Sequence, residues 1–470
     1  MKSIVKNITF TVSSNLTSFL VNAVVVLIIP RLIGVAEYGY FQLYLLLVSY
    51  AFYFHFGWCD GLYLRSVGTS YDDLDEEIIS SQFCGLCLMT IAIAVFSEIC
   101  IFIFFGGTDY FVIYSGVSFA LLFITPKIFF SVIMQATNRM KEYSAIILIE
   151  KVVYALLLIS FLFGGIREAN ILIVTDILGK ISAFALGAYF CKEVLFEKLY
   201  RRNIKTYFNE MRTNIHVGIF LLVSNVASIL ITSVVQLLIE NHYGIEAFSQ
   251  IALSFNMSKF LMVVVAAMGV VLVPLLKHMS KQKLSETYIY VRSLLMLILG
   301  LFLLLYYPLR EFLNVWLPDY AESIYFLAFL FPICLFEGKT QLLVNAYMKA
   351  LRGERTLCKV NVVTVLLSLG CAFFAVYILD SIFCAVIVVP YVLAFRCLLL
   401  ELSIQKSLNI SVVKPAILEI VLASVFLASC YLLNTVCAIV VYLISYFLYL
   451  LLTKSDIRKT FTFLRNQTSK

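Results

Sequence analysis

The chain has 470 residues, 62% of them hydrophobic and 13% charged, with a mean hydropathy of +0.98. A soluble globular protein carries roughly 25% charged residues, so this composition excludes a soluble domain and defines a polytopic membrane protein. The formal net charge of +7 does not mark a nucleic-acid binder, because the basic residues are spread over many short loops, where they control topology. The 40 Phe and 28 Tyr suit lipid-facing and interfacial positions.

The N-terminal Met1-Lys2-Ser3 with Lys6 looks like a signal-peptide n-region. The apolar run behind it is too long, contains Asn15, Ser18 and Asn22, and shows no cleavage site, so it reads as a retained first span. Twenty residues at about 1.5 Å rise cross a hydrocarbon core of about 30 Å. On that measure the chain is all-α, with about fourteen transmembrane helices. They fall at 10–33, 38–57, 80–105, 110–135, 143–164, 169–191, 214–239, 248–276, 287–309, 322–346, 358–379, 382–404, 412–432 and 434–453.

The first two spans meet in a corner, Ile28 to Tyr40. Pro30 and Gly34 should loosen the end of the first helix, Arg31 should reach water, and Gly39 should release the turn into the second. The acidic run Asp72 to Glu77 reads as a solvated helix start before span three. Later joints are short and carry breakers or charges, such as Gly106-Gly107-Thr108-Asp109, Gly164-Gly165-Ile166-Arg167-Glu168 and Asp380-Ser381. The longest internal joint, Lys192 to Arg212, sets Leu195, Leu199, Ile204, Phe208 and Met211 at roughly helical spacing among bases. It predicts an amphipathic helix on the cytoplasmic face, which serves as a positively charged linker or as a regulatory or partner site.

With the N-terminus in the cytoplasm, 27 of the 35 Lys and Arg fall at cytoplasmic ends and loops. Arg31, Arg167 and Arg310 fall on the far side, and Lys127, Lys151, Lys180, Lys259 and Lys339 lie inside spans. A sorting this uneven supports both the span count and an orientation with both termini cytoplasmic. Trp316 and Tyr320 on the far side, and Trp58 on the near side, suit interfacial anchors.

The long joint divides the chain into an N-lobe (1–195, spans one to six), an amphipathic linker (196–212), a C-lobe (213–405, spans seven to twelve) and a C-terminal helix pair with a basic cytoplasmic tail (406–470). Faint self-similarity joins the lobes. Gly34-Val35-Ala36-Glu37-Tyr38 matches Gly244-Ile245-Glu246-Ala247-Phe248 after the first span of each, and Met134 to Arg139 matches Met348 to Gly353 after the fourth. Both halves start on the same side, so the repeats are parallel and should enclose a central cavity.

Charges within spans face the bundle interior or water. Lys127 and Lys259 have no acid within a turn in sequence and are the leading candidates to line a cationic, substrate-binding cavity, with Lys339 next. Lys180 follows Asp176 by four residues, so the two either neutralise one another or face the cavity. Glu150-Lys151 either snorkels to the near interface or turns inward. Asp176 and Glu337 are candidates for coupling to protons or sodium. Polar stripes accompany these charges: Ser13, Ser14, Asn15, Ser18 and Asn22 in the first span, and Ser224, Asn225, Ser228, Thr232, Ser233 and Gln236 in the seventh. They mark either a wet face or helix–helix hydrogen bonds. Polar walls with surplus lysines suit an anionic, heavily hydroxylated cargo.

No G-x-x-x-x-G-K-[ST] occurs, which removes ATP as a driver within this chain. His55, His216, His242 and His278 are scattered, and Cys84-Gly85-Leu86-Cys87 stands inside an apolar helix without a second pair. The sequence therefore shows no catalytic residue, metal site or cofactor.

The corner Ile29-Pro30-Arg31-Leu32-Ile33-Gly34-Val35-Ala36-Glu37-Tyr38-Gly39-Tyr40-Phe41 resembles the P-x-L-[LI]-G-x-x-E-Y-G-x-[YF] motif of the Wzx-type O-antigen and polysaccharide flippases, in the MOP exporter superfamily. Gln135 to Tyr143 resembles the family's loop after span four, and the span plan is similar along the whole chain. The resemblance implies two six-helix lobes in a V around a cationic cavity. It also implies an undecaprenyl pyrophosphate-linked oligosaccharide cargo in a bacterial inner membrane, with membrane lipid and other polysaccharide assembly proteins as partners. It transfers no cargo-binding residue, and Arg31 is carried over only as part of the motif. The expected activity is alternating access, the sugar head pairing with Lys127, Lys259, Lys180 and Lys339 while the polyprenyl tail stays in lipid. The competing readings are a cation-coupled multidrug exporter of the same superfamily and a polysaccharide polymerase or ligase.

Overall fold

A backbone in hydrocarbon has no water to bond with, so a long apolar run closes its hydrogen bonds within itself and becomes a helix. A computed structural model describes residues 20–196, 204–260, 262, 276 and 279–454, and helices make up its secondary structure, with no strand among the described residues. In chain order the helices used below are α1 (Leu20–Leu32), α2 (Val35–Ala51), α3 (Trp58–Ser66), α4 (Glu76–Phe105), α5 (Tyr110–Ala136), α6 (Met140–Phe163) and α7 (Ala169–Phe190). They continue with α8 (Ile204–Tyr243), α9 (Ile245–Phe260), α10 (Lys281–Trp316), α11 (Pro318–Leu330), α12 (Ile333–Ala350), α13 (Glu354–Ile378), α14 (Ile382–Leu408), α15 (Val413–Leu432) and α16 (Thr435–Leu452).

Ten described helices are long and apolar enough to cross a bilayer, and α11 with α12, bent by 51° at a short break before Ile333, makes an eleventh. The predicted spans 10–33, 38–57 and 248–276 coincide with the shorter α1, α2 and α9. The first of these runs partly, and the last mostly, outside the described residues beyond the helix.

The chain packs as two compact units, residues 1–226 and 227–470. In the first, α5 is the central helix and packs on α2, α3, α4, α6 and α7. In the second, α14 holds that place, against α10, α11, α12, α13 and α15. The unit boundary falls inside α8, a continuous helix of 40 residues. Residues 204–212 of the predicted linker are thus the first turns of α8, while 197–203 lie outside the described residues. The physical reason is that this end of α8 has partners. Asn214 donates to Gln82 Oε1 at 2.5 Å, and Arg65 donates to Glu210 and Asn214, both at 2.7 Å.

Several local expectations change. Gly39 is buried within α2, and the turn is made at Ile33 and Gly34, the latter capping α2 in an extended conformation. Trp58 is fully buried and donates to Gln82 at 3.0 Å, so it anchors a core with Leu86, Phe129 and Phe130 and not an interface. Tyr320 is likewise buried, while Trp316 is half-buried and stacks on Phe312. The acidic run does start a helix: Asp75 caps α4 by accepting from the Ile78 amide at 3.0 Å.

The two loops that the sequence pairs after the fourth span of each lobe end their helices alike. After α5, Arg139 N–H donates to Met134 at 2.8 Å and Asn138 takes φ 59°. After α12, Gly353 N–H donates to Met348 at 2.7 Å and Arg352 takes φ 55°. The two loops thus share a helix C-terminal bond and one left-handed residue at equivalent positions.

Candidate functional site

An isolated ion in a low-dielectric interior is prohibitively costly, so buried charges collect partners. In the first unit, Lys127 on α5 donates to Glu150 on α6 at 2.6 Å and lies over the Phe52 ring. Lys180 and Asp176, one turn apart on α7, pair with each other, and Tyr44 on α2 donates to Asp176 at 2.8 Å. All four charged side chains are buried. Gly179 lets this packing close: a Cβ there would stand 2.8 Å from the Glu150 carbonyl. Of the sequence alternatives, Asp176 and Lys180 do pair, and Glu150 turns inward. The acid that Lys127 lacks in its own helix comes from the next one.

The second unit holds a similar neutral cluster. Arg292 on α10 bonds Glu401 on α14 at 2.7 Å and Glu419 on α15 at 2.7 Å. Lys339 on α12 bonds the same two carboxylates, at 2.8 Å for Glu401. Tyr288 donates to Glu401 at 2.9 Å. The side chains of both acids are 0% exposed. This cluster ties the C-terminal helix pair into the unit, helped by Tyr442 and Tyr446, which donate at 2.7 Å to the carbonyls of Gly300 and Leu297.

A third group in the second unit is built differently. The polar face of α8 carries Ser228 and Thr232, one helical turn or about 6 Å apart. Arg396, in the middle of α14 and 1% exposed, donates through Nη2 to Ser228 at 2.8 Å and through Nε to Asn361 at 2.8 Å. Its Nη1 bonds Glu337 at 3.1 Å. One turn along α8, Lys259 of α9 donates to Thr232 at 3.2 Å and lies over the Phe255 ring. Lys259 is half-buried and has no carboxylate within 4 Å among the described residues. Glu337 acts on it electrostatically from further away. Two cations thus hang on adjacent turns of one polar stripe, and among the described residues Glu337 is the acid that pairs with one and acts on the other.

Arg31 lies exposed in the last turn of α1. Its motif neighbour Glu37 has a structural task, accepting the Ala169 amide at 2.6 Å and so capping the start of α7. Of the first-span polar stripe, Asn22 is exposed, and the earlier members lie outside the described residues.

Arg292 and Arg396 belong to the 27 basic residues sorted to near-side ends, yet the structure buries both. They were missed because a basic residue in a membrane protein reads first as a topology marker. The available signal was the acids Glu337, Glu401 and Glu419 within spans, which require cations nearby.

The fold has known relatives. It is similar to the lipid II flippase MurJ in an inward closed conformation, with a TM-score of 0.65 at 12% identity, covering 95% of this chain and 100% of that one. It is also similar to an inward-facing multidrug resistance MATE family transporter, with a TM-score of 0.61 at 11% identity over 86% of this chain and 98% of that one. A MOP superfamily transporter from Pyrococcus furiosus matches with a TM-score of 0.54 at 12% identity, over 87% and 96% of the two chains. The protein is thus a multi-pass membrane protein with the fold of the MOP superfamily transporters. No curated protein sequence matches it. The polysaccharide biosynthesis protein family matches residues 4–280, more than half of the chain, and the protein belongs to that family.

Proposed function

We propose that this protein is a flippase that carries an undecaprenyl pyrophosphate-linked oligosaccharide, such as an O-antigen repeat unit, across the bacterial inner membrane by alternating access, with both termini cytoplasmic. Family membership supports a place in polysaccharide assembly. The observation that carries the reading is Lys259, an ammonium within the helical bundle held by a hydroxyl and an aromatic face, one turn of α8 from Arg396. A half-buried cation without a carboxylate in bonding distance gains from a ligand that brings one. Pyrophosphate supplies that charge, and the serine and threonine of the stripe suit hydroxylated sugars.

On this reading Lys259 is the first contact for the phosphates. Lys127, Lys180 and Lys339, already paired, contribute when their clusters open, and Arg31 attracts the anion at the mouth of the path. Asp176 and Glu337 are the acids placed to couple transport to a cation. The second reading, a cation-coupled multidrug exporter, rests on the likeness to the MATE fold, but a site with two cations to one carboxylate disfavours cationic drugs. The protein on either reading is a transporter and not an enzyme.

The test is complementation of a strain that lacks the gene. Lys259→Ala, inserted at normal level, should reduce surface polysaccharide at least ten-fold, and Lys259→Arg should restore most of it. Full delivery by Lys259→Ala, or a change in drug resistance without a change in polysaccharide, overturns the reading.

A further inference from the structure

Glu337 differs from the other interior acids of its unit. Glu401 and Glu419 each bond both cations of a closed cluster and are fully buried. The Glu337 side chain keeps 14% of its surface open. Among the described residues it makes one ion pair, with Arg396, and its other oxygen accepts from Gln341 one turn along α12, at 3.0 Å. The guanidinium it meets does not depend on it for position. Asn361 and Ser228 take two of its edges, so that without Glu337 the Arg396 Nη1 would remain aimed at the same place.

Glu337 also acts on Lys259, whose own bond goes to the α8 stripe one turn from the Ser228 contact of Arg396. One carboxylate therefore bonds Arg396 and acts on the charge of Lys259, and the two cations are held by α8 hydroxyls that lie about 6 Å apart along the helix axis. A carboxylate and a phosphate present the same chemistry to such a pair: a delocalised negative charge and two accepting oxygens. Resting on the flippase reading, we propose that Glu337 is a built-in counter-ion occupying the anion site of Lys259 and Arg396 in the unloaded protein, and that the phosphate of the cargo displaces it.

Such an arrangement has a use in transport. A ligand moves a conformational equilibrium only by its differential affinity for the two states, and a site that binds too tightly in both does not release. A tethered acid lowers the affinity for phosphate and returns to the cations when the cargo leaves, so that they are not stranded without an anion.

The experiment measures binding of farnesyl pyrophosphate to the full-length protein in detergent, with farnesol as the uncharged control. Glu337→Gln should bind the pyrophosphate at least ten-fold more tightly than wild type, with farnesol unchanged. In cells it should deliver less surface polysaccharide because release is slowed. Lys259→Ala should lose binding in both backgrounds. If Glu337→Gln does not yield folded protein, Glu337→Asp, which withdraws the carboxylate by one methylene, should tighten binding several-fold. Equal or weaker binding by the Glu337 variants, with Lys259→Ala still deficient, overturns the counter-ion and leaves the cationic site standing. Binding unaffected by Lys259→Ala, or no binding by any form, overturns the functional reading as well.

Discussion

Lys259 and Lys339 are the same residue type in apolar helices, and nothing near either in the sequence says that, among the described residues, Lys339 bonds two carboxylates while Lys259 bonds a hydroxyl. The acids that hold Lys339 lie 62 and 80 residues away, and Lys127 finds Glu150 23 residues on. Only the Asp176–Lys180 pair, set by helical spacing, was legible. The cluster of Arg292, Lys339, Glu401 and Glu419 is neutral only as a whole. Lys339→Met leaves two buried carboxylates with one guanidinium, and breaking such a pair costs about 3–5 kcal/mol. Lys339→Met should therefore lower the melting temperature of the purified protein sharply. Adding Glu419→Gln, which leaves Arg292 with Glu401 alone, should recover much of the loss. A double variant as unstable as the two single losses combined would show that charge balance is not what holds the cluster. Lys259→Ala, which removes a cation without stranding an acid, should melt within a few degrees of wild type.

At the scale of elements, helix positions were readable because a bilayer leaves long apolar runs no alternative. Their ends and partners were less so. Residues 204–212 of the predicted linker helix became part of α8 because of contacts that no local pattern announces: α3 crosses α8 at glycines. A Cβ on Gly61 would stand 1.9 Å from the Asn214 carbonyl oxygen, and one on Gly218 would stand 2.1 Å from that of Gly57. Those atoms are backbone and cannot yield without parting the helices. Gly61→Ala and Gly218→Ala should each lower the melting temperature by about 5 °C or more, or prevent recovery of folded protein. The control is Gly34, conspicuous in the corner motif, where φ is −66° and an added Cβ meets nothing within 4 Å. Gly34→Ala should melt within about 2 °C of wild type. Equal melting of Gly218→Ala and wild type would mean that the two helices do not cross this closely. The corner thus illustrates what motif reading misses: its glutamate caps α7, while its first glycine is sterically replaceable.

At the scale of the molecule, orientation and repeat are coupled in the sequence reading, and each constrains the other. The loops after α5 and α12 adopt one backbone geometry, down to the left-handed Asn138 and Arg352. If that likeness reflects parallel repeats, both loops face the same side, and an even number of crossings must separate them. The segments between them are α6, α7, α8, α9, α10 and the bent α11–α12 span, which come to six only if the short α9 crosses together with the residues that follow it. Buried Arg292 and Arg396 do not disturb this, because the loops and the helix ends beside them keep their bases: Arg139 and Lys141 at the first, Lys349, Arg352 and Arg355 at the second. Alkaline phosphatase fused after Arg139 or Arg352 should accordingly be inactive, and fused after Asp109, Arg167 or Asp380 it should be active. Opposite results at Arg139 and Arg352 would mean that α9 turns back within the membrane. The halves would then be inverted, and Lys259 would lie at the tip of a re-entrant segment, within reach of the anion from one side only.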